Sequence, residues 1–429
     1  MLVVLIFSVL VLFILMGFPI AVAMGLTAIG FFLGLDEPRM IGAMAQRMYS
    51  AVSSFPLLAI PFFILAGNLM NTGGITDRIF GFAKTLVGHV RGGLAHVSVL
   101  ASMLFAGITG AALAEAMGLG VIEIKAMKDA GFDKKFAGAV VASSSTIGPV
   151  IPPSIPLVIY GALAEVSVGA LFLGGVVPGV MMGLGIMIVI YILSVKRGYP
   201  AEQRATMAQV LRSGFDSILG LLAPAIIMGG ILGGVFTPTE AAVAAVIYAL
   251  VVGALVYREL SMKRLVAILW DTVDQTVRVM FIIAAAGMFG WLLIYIRAPQ
   301  QIVELLTTLT SSPAVILLIF NAVLLVLGCF MEGIAIMLLT VPIFLPVMAK
   351  FGIDPVHFGV VMTLNLMIGL LTPPVGMVLY AVSTIANVPV MRLALELVPF
   401  MVVLCVVLLL ITYIPELVTW LPNLVMGPR

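Results

Sequence analysis

Apolar residues do not recur along this chain at the spacing of surface helices. They fill long runs separated by brief polar punctuation. A bilayer takes roughly 20 apolar residues per helix. Met1 to Leu35 is too long for one span, and Gly17-Phe18-Pro19 divides it into two. Residues 1–16 lack a basic start and a small-residue cleavage site, which predicts a retained span rather than a leader. Asp36 to Ser50 reads as an interfacial arm, Ser54 to Met70 as a span, and Thr76 to His89 as an amphipathic helix lying in the interface. Residues 94–129 are apolar to Met117 and then polar, which predicts a helical hairpin that enters and leaves by one face. A long run over 133–166 and a span from Val168 to Val195 complete the half, and the polar stretch 196–214 is a cytoplasmic linker.

The order then repeats. Phe215 to Gly234 and Thr237 to Tyr257 are spans, Arg258 to Thr272 is a polar arm, and Gln275 to Ile296 is a span. Pro299 to Thr310 is amphipathic, residues 313–350 form a second hairpin, and residues 354–387 a second long run. Leu395 to Val418 is the last span. Residues 1–195 and 215–429 are therefore two repeats. Each crosses five times if the hairpins do not cross, so one repeat is inverted relative to the other.

Both long runs are interrupted. Ser143-Ser-Ser-Thr-Ile-Gly-Pro-Val-Ile-Pro-Pro-Ser154 cuts the first, and Asn365-Leu-Met-Ile-Gly-Leu-Leu-Thr-Pro-Pro374 cuts the second. Proline removes a backbone donor and pushes its predecessor out of the helical region, so each helix opens at mid-membrane. Open backbone is tolerated there only inside protein or against a polar cavity. Adding 221 to a residue number maps the first break onto the second without a gap: Gly107 onto Gly328, Asp133 onto Asp354, Gly148 onto Gly369, Pro152-Pro153 onto Pro373-Pro374. One further gap brings Tyr160 onto Tyr380. A single break would read as a packing kink; two in register point to a transporter binding site.

Composition narrows the class. Of 429 residues 63% are hydrophobic and 9% charged, where a soluble domain carries about a quarter charged. This is an all-α polytopic membrane protein. Of the 21 Lys and Arg residues, tracing the crossings leaves only Arg39, Arg47, Arg297, Lys350 and Arg429 on one face. The positive-inside rule makes the other face cytoplasmic and both termini periplasmic, in a bacterial inner membrane. Cys329 and Cys405 sit in unrelated apolar segments and build neither a disulfide framework nor a metal site. His89, His96 and His357 lack partners at metal spacing and read as satisfied or solvated.

Half-helix N-termini offer positive charge to an anion, while unwound carbonyls and hydroxyls suit a hard cation such as sodium. Thr109, Ser143, Ser144, Ser145, Thr146 and Ser154 cluster in one repeat, and Thr363, Asn365 and Thr372 in the other. A lone membrane Ser or Thr usually bonds its own helix, and only as a group do these exceed that expectation. Glu240 fits a capping box, Thr237-x-x-Glu240 with Pro238 at the first helical position. Glu332, at the second hairpin tip, shapes the site as a ligand or a cap. Glu115 either caps or faces a wet vestibule.

At this point the residues carry a resemblance. Gly107-Ile-Thr-Gly, the Ser144–Ser154 motif, Phe236-Thr-Pro-Thr-Glu-Ala241 and Leu371-Thr-Pro-Pro374, in this order, resemble the large membrane subunit of TRAP (tripartite ATP-independent periplasmic) transporters over essentially the whole chain. The resemblance implies an elevator-type secondary transporter without cofactors, driven by sodium. Its cargo would be small organic acid anions such as dicarboxylates or sialic acid. Its partners would be a periplasmic substrate-binding protein and a small four-span membrane subunit, with no nucleic acid. Carried over by motif, the sodium ligands are Thr109, Ser144, Ser145, Gly148 and Pro153 in one repeat, and Gly328, Asn365, Gly369 and Thr372 in the other. Thr146, Ser154, Glu332 and Pro374 are substrate-binding candidates. The family's serine-rich first tip is here Thr109-Gly-Ala-Ala-Leu-Ala-Glu115.

Two rivals follow from the same residues. A self-sufficient sodium/anion symporter or antiporter would share the inverted design. An intramembrane enzyme would need a metal helix or an acidic pair at catalytic spacing, and the chain has neither, so no catalytic residue is assigned.

Overall fold

The computed structural model describes residues 2–36 and 38–427, with the side chains of Pro38 and of residues 107–109 outside that description. The described residues form helices and connections, with no strand among them. Seven of these helices are long and apolar enough to cross a membrane.

The first half runs α1 (Leu2–Leu15), α2 (Ile20–Gly34), α3 (Pro38–Val52), a 3₁₀ turn at Phe55–Leu58, α4 (Ala59–Thr72) and α5 (Ile75–Val87). It continues with a hairpin of α6 (Gly93–Thr109) and α7 (Ala112–Asp129), the interrupted pair α8 (Lys134–Ser145) and α9 (Ile155–Ala164), and α10 (Val168–Arg197). The second half runs α11 (Met207–Leu232), α12 (Pro238–Val251), α13 (Met262–Tyr295) and α14 (Ala298–Leu309). Its hairpin is α15 (Pro313–Gly328) and α16 (Gly333–Phe351), its interrupted pair α17 (Pro355–Gly369) and α18 (Met377–Ala386), and then come α19 (Val390–Tyr413) and α20 (Glu416–Met426).

Elements recur in the same order, and α8 and α17 start 221 residues apart, as the register predicts. Both are capped by the aspartate of that register. Asp133 accepts from the amide of Lys135 at 2.8 Å, and Asp354 from those of Val356 and His357 at 2.7 and 3.0 Å. The capping box at α12 forms: Thr237 N–H donates to Glu240 Oε2 at 2.8 Å, and Glu240 N–H to Thr237 Oγ1 at 3.3 Å.

Four expectations differ from the structure. Arm and span of the second half are one 34-residue helix, α13, because nothing between Arg258 and Ile296 breaks it; in the first half Pro56 separates α3 from α4. The link between halves narrows to 198–206, since α10 runs on to Arg197 and α11 starts at Met207 under its own Thr206 cap. The last span ends at Tyr413, where Pro415 forces a bend into α20. Tyr160 and Tyr380 are not counterparts. Tyr160 is the sixth residue of α9, buried, with its hydroxyl donating to the Pro355 carbonyl at 2.7 Å, whereas Tyr380 is the fourth residue of α18 and exposed.

The packing interleaves the halves. Outside, α4 packs on α12, α2 and α3 on α13, and α5 on α11. Inside, the returning helix of each hairpin packs on the second piece of the other half's interrupted pair: α7 on α18, and α16 on α9. α10 and α19 pack against each other and on this inner group, α10 on α17 and α19 on α8. The hairpins and interrupted helices of both halves therefore pack inside one body.

Candidate functional site

In the second half, α17 ends at Gly369 and the chain opens before α18. The hairpin tip closes on it directly: Val375 N–H donates to the Cys329 carbonyl at 3.0 Å. A methyl built on Gly328 would lie 2.9 Å from the Gly369 α-carbon, and one on Gly369 would lie 2.7 Å from the Gly328 α-carbon. Only a pair of glycines lets the two backbones come this close.

Asn365, one turn before the break, is fully buried. Its amide donates to both oxygens of Asn321 on α15, at 3.1 Å to the carbonyl and 2.8 Å to Oδ1. Asn321 in turn donates to Thr412 Oγ1 on α19 at 2.9 Å. This chain of amides fixes the Asn365 side chain with Nδ2 spent and Oδ1 without a partner. A buried carbonyl oxygen left unpaired costs about 1–3 kcal/mol, and a hard cation is the partner such an oxygen takes. Thr372 is half-buried and donates to the Ile368 carbonyl at 2.9 Å, which leaves its oxygen lone pairs free to accept. Glu332 caps α16, accepting from the Ala335 amide at 3.2 Å, which is the capping half of its two expected roles.

In the first half α8 ends at Ser145 and α9 resumes at Ile155. Pro149, Pro152 and Pro153 remove the amide donors that a continuous helix would offer the carbonyls of Ser145, Gly148 and Pro149. Ser154 replaces one of them: its hydroxyl donates to the Pro149 carbonyl and accepts from the Leu157 amide at 3.2 Å, so both its capacities are used. Ser143, Ser144, Ser145 and Thr146 are buried, and each donates to a carbonyl of its own helix, three or four residues back. The ordinary expectation for membrane hydroxyls thus describes their protons, while their oxygens remain acceptors. The first hairpin tip reaches this break as the second does, since a methyl on Gly110 would lie 3.1 Å from the Pro153 carbonyl oxygen. The peptide bonds Pro152-Pro153 and Pro373-Pro374 are both cis.

The structure thus gathers Ser144, Ser145, Thr146, Gly148, Pro153 and Ser154 at one break, and Gly328, Glu332, Asn365, Gly369 and Thr372 at the other. Pro374 is exposed. The Thr109 side chain lies outside the described residues.

Asn321 and Glu123 were not singled out by their motifs, and Glu115 departs from both of its expected roles. Glu115, in the first turn of α7, neither caps its helix nor faces a vestibule: it is 2% exposed, and neither carboxylate oxygen has a hydrogen-bond partner. Glu123, two turns further on the same helix, is equally buried. Ser102 and Ser98 of α6 face these two carboxylates. Burying an ion costs several kcal/mol, and a helix N-terminus returns only about 0.3–1 kcal/mol of it. His96, expected to be satisfied or solvated, is buried with Nε2 unpartnered.

Where the inner body meets the outer helices, a cavity of about 30 Å³ is lined by Asn68 and Asn71 of α4, Gln275 of α13, and Ala111 and Ala114 of the first hairpin. Asn68 Nδ2 donates to Thr272 Oγ1 at 3.0 Å, and Thr76 Oγ1 to Asn71 Oδ1 at 3.2 Å.

The family model for "Tripartite ATP-independent periplasmic transporter, DctM component" matches residues 7–417. The chain is 44% identical over 411 residues to the "Sialic acid TRAP transporter large permease protein SiaM" of Vibrio cholerae, covering 96% of each chain. It is 42% identical to the "C4-dicarboxylate TRAP transporter large permease protein DctM" of Pseudomonas aeruginosa, over 91% of each. It is 38% identical to the "Isethionate TRAP transporter permease protein DctMQ" of Oleidesulfovibrio alaskensis, with 95% of this chain matching 64% of that one. Among solved structures, the Alcanivorax borkumensis YdaH transporter shares the fold, with TM-score 0.65 at 14% identity over 89% of each chain. Interrupted membrane helices closed by hairpins, in a chain that matches permeases along nearly its whole length, are those of a multi-pass transporter and not of an enzyme: the chain belongs to the DctM-component family of tripartite ATP-independent periplasmic transporters.

Proposed function

We propose that this permease takes up a small organic acid anion with sodium as the coupling ion, by an elevator movement of the inner body. The anion is of the kind that relatives' names record, sialic acid or a C4-dicarboxylate. It is delivered by a periplasmic substrate-binding protein, and a small four-span membrane subunit widens the outer layer. The longer relative named DctMQ, of which this chain matches 64%, supports a second membrane component. The two halves are inverted repeats in an inner membrane, with both termini periplasmic. The moving body comprises α6–α10 and α15–α19; α1–α5 and α11–α14 stay fixed.

The observation that carries this reading is Asn365, a fully buried side chain held by Asn321 with its carbonyl oxygen unpaired, beside the Gly328–Gly369 approach. Asn365, Gly369, Gly328 and Thr372 would hold one sodium ion; Ser144, Ser145, Gly148, Pro153 and Thr109 would hold the other. Ions there draw a hairpin tip and a break together, so sodium binding and anion binding favour the same closed arrangement, which is coupling in the thermodynamic sense. Thr146, Ser154, Glu332 and Pro374 border the anion, with Asn68, Asn71 and Gln275 facing it from the fixed side.

The test is anion uptake by proteoliposomes holding this chain, its small subunit and its binding protein under an inward sodium gradient, with each component omitted in turn. Uptake that needs every component supports the proposal; uptake by this chain alone makes it a self-sufficient symporter.

A further inference from the structure

The first break faces a carboxylate for which the two ligand sets above have no use. A methyl built on Gly148 would lie 2.5 Å from Glu115 Oε2 and 3.6 Å from the Ser145 carbonyl oxygen. The carboxylate therefore rests against the unwound backbone between Ser145 and Pro149, where prolines have stripped carbonyls of their donors. Both its oxygens are buried and unpartnered. Those are two independent features pointing at the same space: open backbone acceptors, and an unpaired buried carboxyl group aimed at them.

The surroundings supply no counter-charge. The ion pairs among the described residues join Arg78 to Glu259, Lys84 to Glu202, Arg197 to Glu396 and Arg278 to Asp274. Facing Glu115 from α6 is the neutral Ser102, and Glu123 on its own helix is a second carboxyl group and no cation. α8 carries Lys134 and Lys135 only at its opposite end, with Lys134 bonded to the Asn387 carbonyl. α18 carries no Lys, Arg or His. The register adds a contrast: 221 residues after Glu115 stands Ile336, apolar and fully buried.

We propose that Glu115 is a ligand of the cation bound at the first break, giving that site a formal negative charge that the second site, built on the amide of Asn365, lacks. The inference rests on the sodium reading above and makes it asymmetric. A hard cation prefers a carboxylate to a neutral oxygen, and a buried carboxylate keeps its charge in a membrane only beside a cation. The first site therefore fills at lower sodium concentration than the second.

The experiment follows the melting temperature of the purified chain in detergent against sodium chloride, with choline chloride holding ionic strength and potassium chloride as control. Glu115→Gln is expected to need at least tenfold more sodium for half of the stabilisation. Gly148→Ala, which keeps the charge but sets a methyl against Oε2, is expected to show a several-fold loss. Adding Glu115→Asp to it, a shorter arm that makes room for the methyl, recovers part of that loss. A wild-type sodium response in Glu115→Gln overturns the proposal and leaves the sodium reading standing. If that variant yields no folded protein, an unchanged response in Gly148→Ala overturns it instead. A wild-type protein that sodium does not stabilise over potassium overturns both.

Discussion

Gly369→Ala probes the close approach between the second hairpin tip and its break. The new methyl carbon would lie 2.7 Å from the Gly328 α-carbon, 3.1 Å from its carbonyl carbon and 3.2 Å from its oxygen. Carbon atoms pack at about 3.5–4.0 Å, so the hairpin tip and the break must separate by roughly 1 Å. The obstructing atoms are backbone, which cannot rotate aside. Overpacking a tight interior costs about 1–3 kcal/mol, and the separation also stretches the Val375 N–H bond to the Cys329 carbonyl. At 1.4 kcal/mol per tenfold, the closed arrangement loses about 5- to 150-fold in population. Gly328→Ala meets the same gap from the other side, with its methyl 2.9 Å from the Gly369 α-carbon. Once one substitution has opened the gap the second costs less, so the double variant falls short of the sum of the singles. Gly30→Ala, with nothing within 4 Å, is the control. The assays are the melting temperature in detergent and initial uptake in proteoliposomes. Wild-type behaviour in Gly369→Ala, or strict additivity in the double variant, refutes the close approach.

Other substitutions separate the remaining parts of the account. Asn365→Ala removes an unpaired oxygen and strips Asn321 of two donors, so it is expected to cost about 1–3 kcal/mol and to raise the sodium concentration for half-maximal uptake more than it lowers expression. Sodium titration of uptake beside a membrane immunoblot checks this. Asn321→Leu removes one of the two acceptors that hold the Asn365 amide, leaving the backbone carbonyl, and is expected to reproduce part of the sodium effect from a residue outside every sodium motif, in the same titration. Asn71→Ala, on the fixed side of the cavity, is expected to raise the anion KM several-fold at unchanged sodium dependence; an unchanged KM removes Asn71 from the cargo path. Thr237→Val takes away the α12 cap at a cost of about 1 kcal/mol in melting measurements, with the sodium response of uptake unaffected.

How far the sequence carried the structure depended on the range of the interaction. Proline acts on its own backbone, so Pro149, Pro152, Pro153, Pro373 and Pro374 announce both breaks, and the register of 221 residues aligns them. Caps act within three residues, and Asp133, Asp354 and Thr237 sit where local chemistry demands. Partners brought from afar left no such mark. Asn321 is one amide in an apolar helix, and its role exists only because Asn365, 44 residues on, arrives beside it. Glu115 and Glu123 share one face of α7, yet the approach of Gly148 that gives Glu115 its surroundings is tertiary. The α13 helix misled for the opposite reason. Its polar stretch ending near Thr272 suggested a boundary, but polar residues without a backbone breaker do not end a helix.

The central claim, that two cation sites at the two breaks couple sodium to anion uptake, is tested most directly by the sodium dependence of initial uptake in proteoliposomes of the assembled transporter. The account predicts a sigmoidal curve with slope above one, reduced toward one by Asn365→Ala as the second site is lost. Uptake that does not respond to sodium contradicts the claim.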